Sequence, residues 1–91
     1  MIELITIMKA SGNWYLGKVI INPEHIVMVS ESMEHNRLLS EGKIGLGLNT
    51  HVEFSKVQMA ITSGFNEVIA IGSPSSIIEK LSRNKKQLLK G

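Results

Sequence analysis

Pro23 stands between two runs of β-branched residues, and that interruption limits the possible folds more than any other feature of the chain. Residues 19–30 read Val-Ile-Ile-Asn-Pro-Glu-His-Ile-Val-Met-Val-Ser. Proline has no amide proton to give to a sheet ladder, so Asn22-Pro23-Glu24 is expected to be a polar corner between two strands. Ile26, Val27, Met28 and Val29 are all apolar and three of the four are β-branched, which predicts a strand buried on both faces.

The same logic extends outwards. Residues 1–10 alternate tolerably, with Ile5 and Ile7 flanking Thr6, and open the fold as a strand. Ser11-Gly12-Asn13 is turn chemistry, after which Trp14-Tyr15-Leu16-Gly17 resumes an extended path. Residues 32–42 are mostly polar and read first as a loop, second as a short helical turn. Ile44, Leu46 and Leu48 alternate with Gly45, Gly47 and Asn49 and predict a further strand. Residues 51–61 continue as strand, with Val52 and Phe54 on one face and a change of phase near Ser55. Residues 62–66 read as a hairpin loop, and 68–71 as the returning strand.

The clearest element is the last. Ser73 is a good helix N-cap and Pro74 suits the first helical position, where its missing amide costs nothing. Ile77, Ile78 and Leu81 form an apolar stripe, and the Lys and Arg residues near the end complement the helix dipole. The reading is a single α+β domain over residues 1–91. Five or six mostly antiparallel strands fill about 1–71 as a small sheet or partly open barrel, and one C-terminal helix spans about 74–89.

Composition adds a constraint on stability. With 43% hydrophobic residues a folded core is expected, but only 4% are aromatic and there is no cysteine to staple so small a chain. Self-association into a homo-oligomer is therefore expected. The absence of cysteine fits a cytoplasmic protein, and neither a secretory leader nor an apolar run long enough to span a membrane is read.

Charge is divided along the chain. Residues 1–78 hold five Lys or Arg against seven Glu, and residues 79–91 five against one, giving net −2 and +4. Lys80, Arg83, Lys85, Lys86 and Lys90 are thus candidate contacts for nucleic acid or an acidic partner, and the bland reading is a solvated helical face. Leu88 and Leu89 are candidates for an oligomer contact.

The residues offer little to chemistry. His25, His35 and His51 are spaced by ten and sixteen residues, which matches no common ligand pattern, and His25 and His35 are expected to face water. There is no Asp to orient a catalytic histidine. Gly42-Lys43-Ile44-Gly45-Leu46-Gly47 lacks the phosphate-cradle order and the following helix. Trp14, Tyr15, Phe54 and Phe65 are not interleaved with basic residues and are expected to serve core or interface packing. No catalytic, cofactor-binding or metal-ligating residue is assigned, and the chain is expected to be no enzyme.

The opening Met1-Ile2-Glu3-Leu4, the corner Ile21-Asn22-Pro23-Glu24-His25-Ile26-Val27 and the ending with Val68, Ser73, Ile77, Ile78 and Leu81 resemble the FlbD-like swarming-motility family. The resemblance touches about a third of the positions. It departs at Pro74 and Ser75, where the family starts its helix with acidic residues, and in an added segment at about 33–54. The family is associated with flagellar motility and related short chains occur in phage and other contexts, so the resemblance implies the fold and a small accessory protein more than a flagellar role. Ile44-Gly45-Leu46-Gly47-Leu48 followed by Val52-Glu53-Phe54 is similar to the strand pair of carbon-storage-regulator RNA-binding dimers. Asn49-Thr50 stands where that family has Ala-Pro, and the expected arginine is absent. The functional expectation is a small, self-associating interaction or regulatory protein; the alternative is an RNA- or DNA-binding regulator using the basic helix.

Overall fold

The computed structural model describes the backbone of residues 1–61 and 64–90, and their side chains except at 61, 65 and 84–90. Five strands form one antiparallel sheet: β1 (Ile2–Ala10), β2 (Asn13–Ile21), β3 (Ile26–Glu31), β4 (Phe54–Ile61) and β5 (Gly64–Ile71). Helix α1 (Met33–Ser40) follows β3, and α2 (Pro74–Lys90) follows β5. The strand order is β2-β1-β5-β4-β3, so the expected α+β class holds, with five strands in an open sheet.

Residues 19–30 fold as a strand, a corner and a strand, with the corner a short 3-10 turn at Pro23–His25. Asn22 caps it, its Oδ1 accepting from the Glu24 amide at 3.0 Å. This short link joins the two opposite edges of the sheet. In a flat sheet four spacings of about 4.8 Å separate those edges, and the register sets Ile21 and Ile26 at opposite ends, roughly 30 Å apart. The chain from Ile21 to Ile26 reaches at most about 19 Å. The sheet must therefore be strongly curled, which draws its diagonal corners together.

Curling gives the sheet an inner and an outer face, each with its own apolar cluster. Inside, Ile2, Leu4, Val57, Met59 and Ala70 pack with Ile77 of α2, joined by Val19 and Ile21 from one edge and Ile26 and Val29 from the other. Outside, Ile7 and Phe54 pack under Leu39 of α1 and Ile44 of the following loop. Phe54 is fully buried, and burying such a side chain contributes on the order of 2–3 kcal/mol. The change of phase near Ser55 is explained by these two clusters. β4 pairs with β5 without a break, and Phe54 faces outward while Val57 and Met59 face inward.

Several expectations are corrected. Residues 33–40 are a helix rather than a loop, held because Leu39 drops into the outer cluster. Ile44, Leu46 and Leu48 do not form a strand: their segment is irregular, and it buries Ile44 and half-buries Leu46 and Leu48 on the outer face instead of pairing. The strand expected from residue 51 begins at Phe54. β3 is an edge strand with Val27 and Met28 exposed, not a strand buried on both faces. The expected loop at 62–66 is shorter, since β5 already starts at Gly64; residues 62 and 63 lie outside the described residues.

The start of α2 follows its sequence signals. Ser73 Oγ accepts from the Ser76 amide at 3.2 Å, and Pro74 takes the first helical position. Ile77 is buried and Leu81 half-buried against the inner cluster, but Ile78 is half-exposed on the solvent side of the stripe.

Candidate interaction surface

β1 and β2 are joined by Ser11-Gly12, both with positive φ (51° and 79°), the geometry of a two-residue hairpin turn. That turn is closed by Ala10 and Asn13 as a hydrogen-bonded pair, which sets the direction of every polar backbone group along β2. Asn13, Tyr15, Gly17, Val19 and Ile21 point theirs at β1. Trp14, Leu16, Lys18 and Ile20 point theirs away from the sheet. Thr6 Oγ1 donates to the Gly17 carbonyl at 3.4 Å, as an inward-facing carbonyl requires. Among the described residues, no backbone hydrogen bond reaches the four outward-facing positions.

β2 is thus a nine-residue strand paired regularly with β1 along its full length, and its outer edge presents a row made of the amides and carbonyls of four residues, unpaired among the described residues. It has no proline and no bulge, and its one charge is Lys18. Lys18 meets Glu3 at 3.6 Å across the strand pair, an exposed ion pair of small energetic weight. Apolar side chains line the row: Ile20 is 67% exposed, Leu16 45% and Tyr15 43%. The opposite edge differs. β3 has six residues, and its register with β4 shifts between Ile26 and Met28, a bulge that turns the edge away from regular pairing.

One end of this row is anchored. Trp14 lies edge-on to His35 at 5.7 Å between ring centroids, and His35 is in turn 6.1 Å from Phe54. Lys9 Nζ sits 5.2 Å from the centroid of Trp14, within cation–π range. His35 is held by a 2.7 Å hydrogen bond between Ser32 Oγ and its Nδ1, so the hydroxyl that normally caps a helix is spent on the ring. Burial lowers the His35 pKa below its ordinary 6.5, with Lys56 acting in the same direction and Glu34 and Glu67 opposing. Asn36 completes the latch. Its Oδ1 accepts from the Phe54 amide at 2.7 Å while its Nδ2 donates to Glu31.

Comparison of the chain with protein-family models, curated proteins and solved structures finds no match.

The residues singled out from the sequence fall in separate places. His25 and His51 are exposed, whereas His35 is half-buried between two aromatic rings, contrary to the expectation that it faces water. Among the described residues no three His, Cys, Asp or Glu side chains gather as a metal site. Lys80 Nζ donates to the Glu3 carbonyl at 2.8 Å, and Arg83 pairs with Glu79 one turn earlier on α2. The side chains of Lys85, Lys86, Lys90, Leu88 and Leu89 lie outside the described residues. The glycine-rich string 42–47 lies in the irregular segment after α1, with Gly42 and Gly47 at positive φ. Trp14 and Phe54 pack in the outer cluster as expected of core aromatics, Tyr15 is exposed, and the Phe65 side chain lies outside the described residues. No helix among the described residues is long and apolar enough to cross a membrane.

Among the described residues, the ladder between β1 and β5 meets only at Thr6 opposite Ala70. Beyond that point a cavity of about 250 Å³ opens, lined by Met8, Val19, Glu67 and Val68 among others. Its walls are largely apolar, with the one carboxylate of Glu67, so it has no convergent set of polar groups for chemistry.

A free strand edge follows from so few strands, but which strand keeps it depends on the sheet order. The local signal was present: a two-residue turn followed by an unbroken extended run free of proline.

Proposed function

We propose that this chain is a small non-enzymatic interaction module of regulatory or accessory type, which self-associates through the outer edge of β2. The observation that carries this reading is the nine-residue edge with outward backbone groups unpaired among the described residues and Tyr15, Leu16 and Ile20 exposed along it. Such an edge is a template for another strand, and natural sheets usually blunt edges they do not use. β3 carries that protection and β2 does not. The FlbD-like resemblance agrees with an accessory role but adds no partner.

The alternative, an RNA- or DNA-binding regulator working through α2, has less support, because Lys80 and Arg83 already make bonds within the chain. Binding of that kind falls steeply with salt.

Light scattering coupled to size exclusion tests the reading. The wild-type chain is expected to elute as a dimer of about twice 10.0 kDa, and Leu16→Pro as a monomer with its circular dichroism retained. A wild-type mass of 10.0 kDa at high concentration rejects the reading.

A further inference from the structure

Resting on the reading that β2 is the contact, we infer that its partner is the β2 strand of a second copy, paired antiparallel about a two-fold axis through Gly17. The strand fits itself in this register. Centring at Gly17 overlaps all nine residues of β2 with their mates. On the outer face Trp14 then stands opposite the partner's Ile20, and Leu16 opposite the partner's Lys18. On the inner face Tyr15 stands opposite the partner's Val19. Aromatic residues facing β-branched ones are among the favourable cross-strand pairs, and no like charges stand directly opposite each other, the two Lys18 being diagonal neighbours. The row of exposed apolar side chains, Tyr15, Leu16 and Ile20, is thereby given partners.

Neighbouring registers fit less well. An axis through Lys18 sets the two lysine side chains directly opposite each other, which is repulsive. An axis through Leu16 shortens the overlap and leaves Ile20 opposite the partner's Gly12, in the turn. Backbone polarity agrees with the Gly17 axis. Trp14, Leu16, Lys18 and Ile20 all point their amides and carbonyls outward, and in this register they meet each other as hydrogen-bonded pairs. Isologous pairing of one surface with itself closes at the dimer, and the bulged β3 edges stay outside it. The result is a continuous ten-stranded sheet across two subunits.

The chain has no cysteine, so introduced thiols report alone. Hydrogen-bonded antiparallel partners have Cα atoms about 5.5 Å apart, inside the range a disulfide bridges. Leu16→Cys and Lys18→Cys are prepared separately and mixed under oxidised glutathione. The expected result is a cross-linked heterodimer from the mixture and little cross-linking of either variant alone. Strong cross-linking of Leu16→Cys with itself, or of Lys18→Cys with itself, moves the axis and overturns the inferred register. In the unmodified protein, isotope-filtered nuclear Overhauser contacts from Trp14 to the partner's Ile20 are expected. A wild-type dimer that shows neither those contacts nor the mixed cross-link overturns the β2 pairing. A wild-type monomer overturns the underlying reading itself.

Discussion

His35 shows how much one side chain can hold in so small a fold. It ties α1 to the sheet through two aromatic contacts, and the hydroxyl of Ser32 at the start of the helix holds its ring. Burial depresses its pKa, so the folded state favours the neutral ring. Below the unfolded value of 6.5 the unfolded chain takes up a proton that the folded chain resists. The stability held by this residue is complete above that pH. It is lost as pH falls through 6.5 towards the lower folded value. The urea midpoint of the wild type is expected to drop between pH 7.5 and pH 5, and that of His35→Phe to drop less; parallel profiles would contradict this. Trp14 is the only tryptophan, so its fluorescence reports the same contact. Asn36 is the second latch. Asn36→Ala leaves the Phe54 amide without its acceptor and is expected to cost about 1–3 kcal/mol in equilibrium urea unfolding.

At the scale of elements, β2 makes opposite predictions for adjacent residues. Proline at Leu16 removes an amide that points away from β1, so intrachain pairing survives. Proline at Gly17 removes an amide that bonds to β1. Gly17→Pro is expected to lower stability by about 1–3 kcal/mol, whereas Leu16→Pro changes it little at a protein concentration where both are monomeric. Equal losses measured by thermal unfolding would refute the assigned alternation. The elements also show what could be read in advance. Ser73 and Pro74 act within a few residues, so the start of α2 was legible, as were the Ser11-Gly12 turn and the Pro23 corner. Residues 33–40 and 44–48 are not legible from local sequence because their structure is decided by the outer face of the sheet. Leu39 and Ile44 are drawn onto Phe54 and Ile7 from distant parts of the chain. Polar Glu34, His35 and Asn36 look like loop until Ser32 and Phe54 are seen to receive them.

For the whole molecule, the curled sheet explains why a chain of 91 residues carries two apolar clusters and an edge left unpaired among the described residues. The corner at Pro23–His25 pulls the diagonal corners together, α2 packs on the inner face, and α1 covers one end of the outer face. Nothing among the described residues pairs with β2 on its far side. In the proposed dimer a second β2 does. Amide hydrogen exchange at Trp14, Leu16, Lys18 and Ile20 reads this pairing residue by residue, because Tyr15, Gly17 and Val19 on the same strand are bonded to β1 and serve as internal controls. With rising protein concentration the four outward amides are expected to become as protected as the three inward ones. Outward amides that exchange freely at every concentration, beside protected neighbours, would contradict pairing through β2.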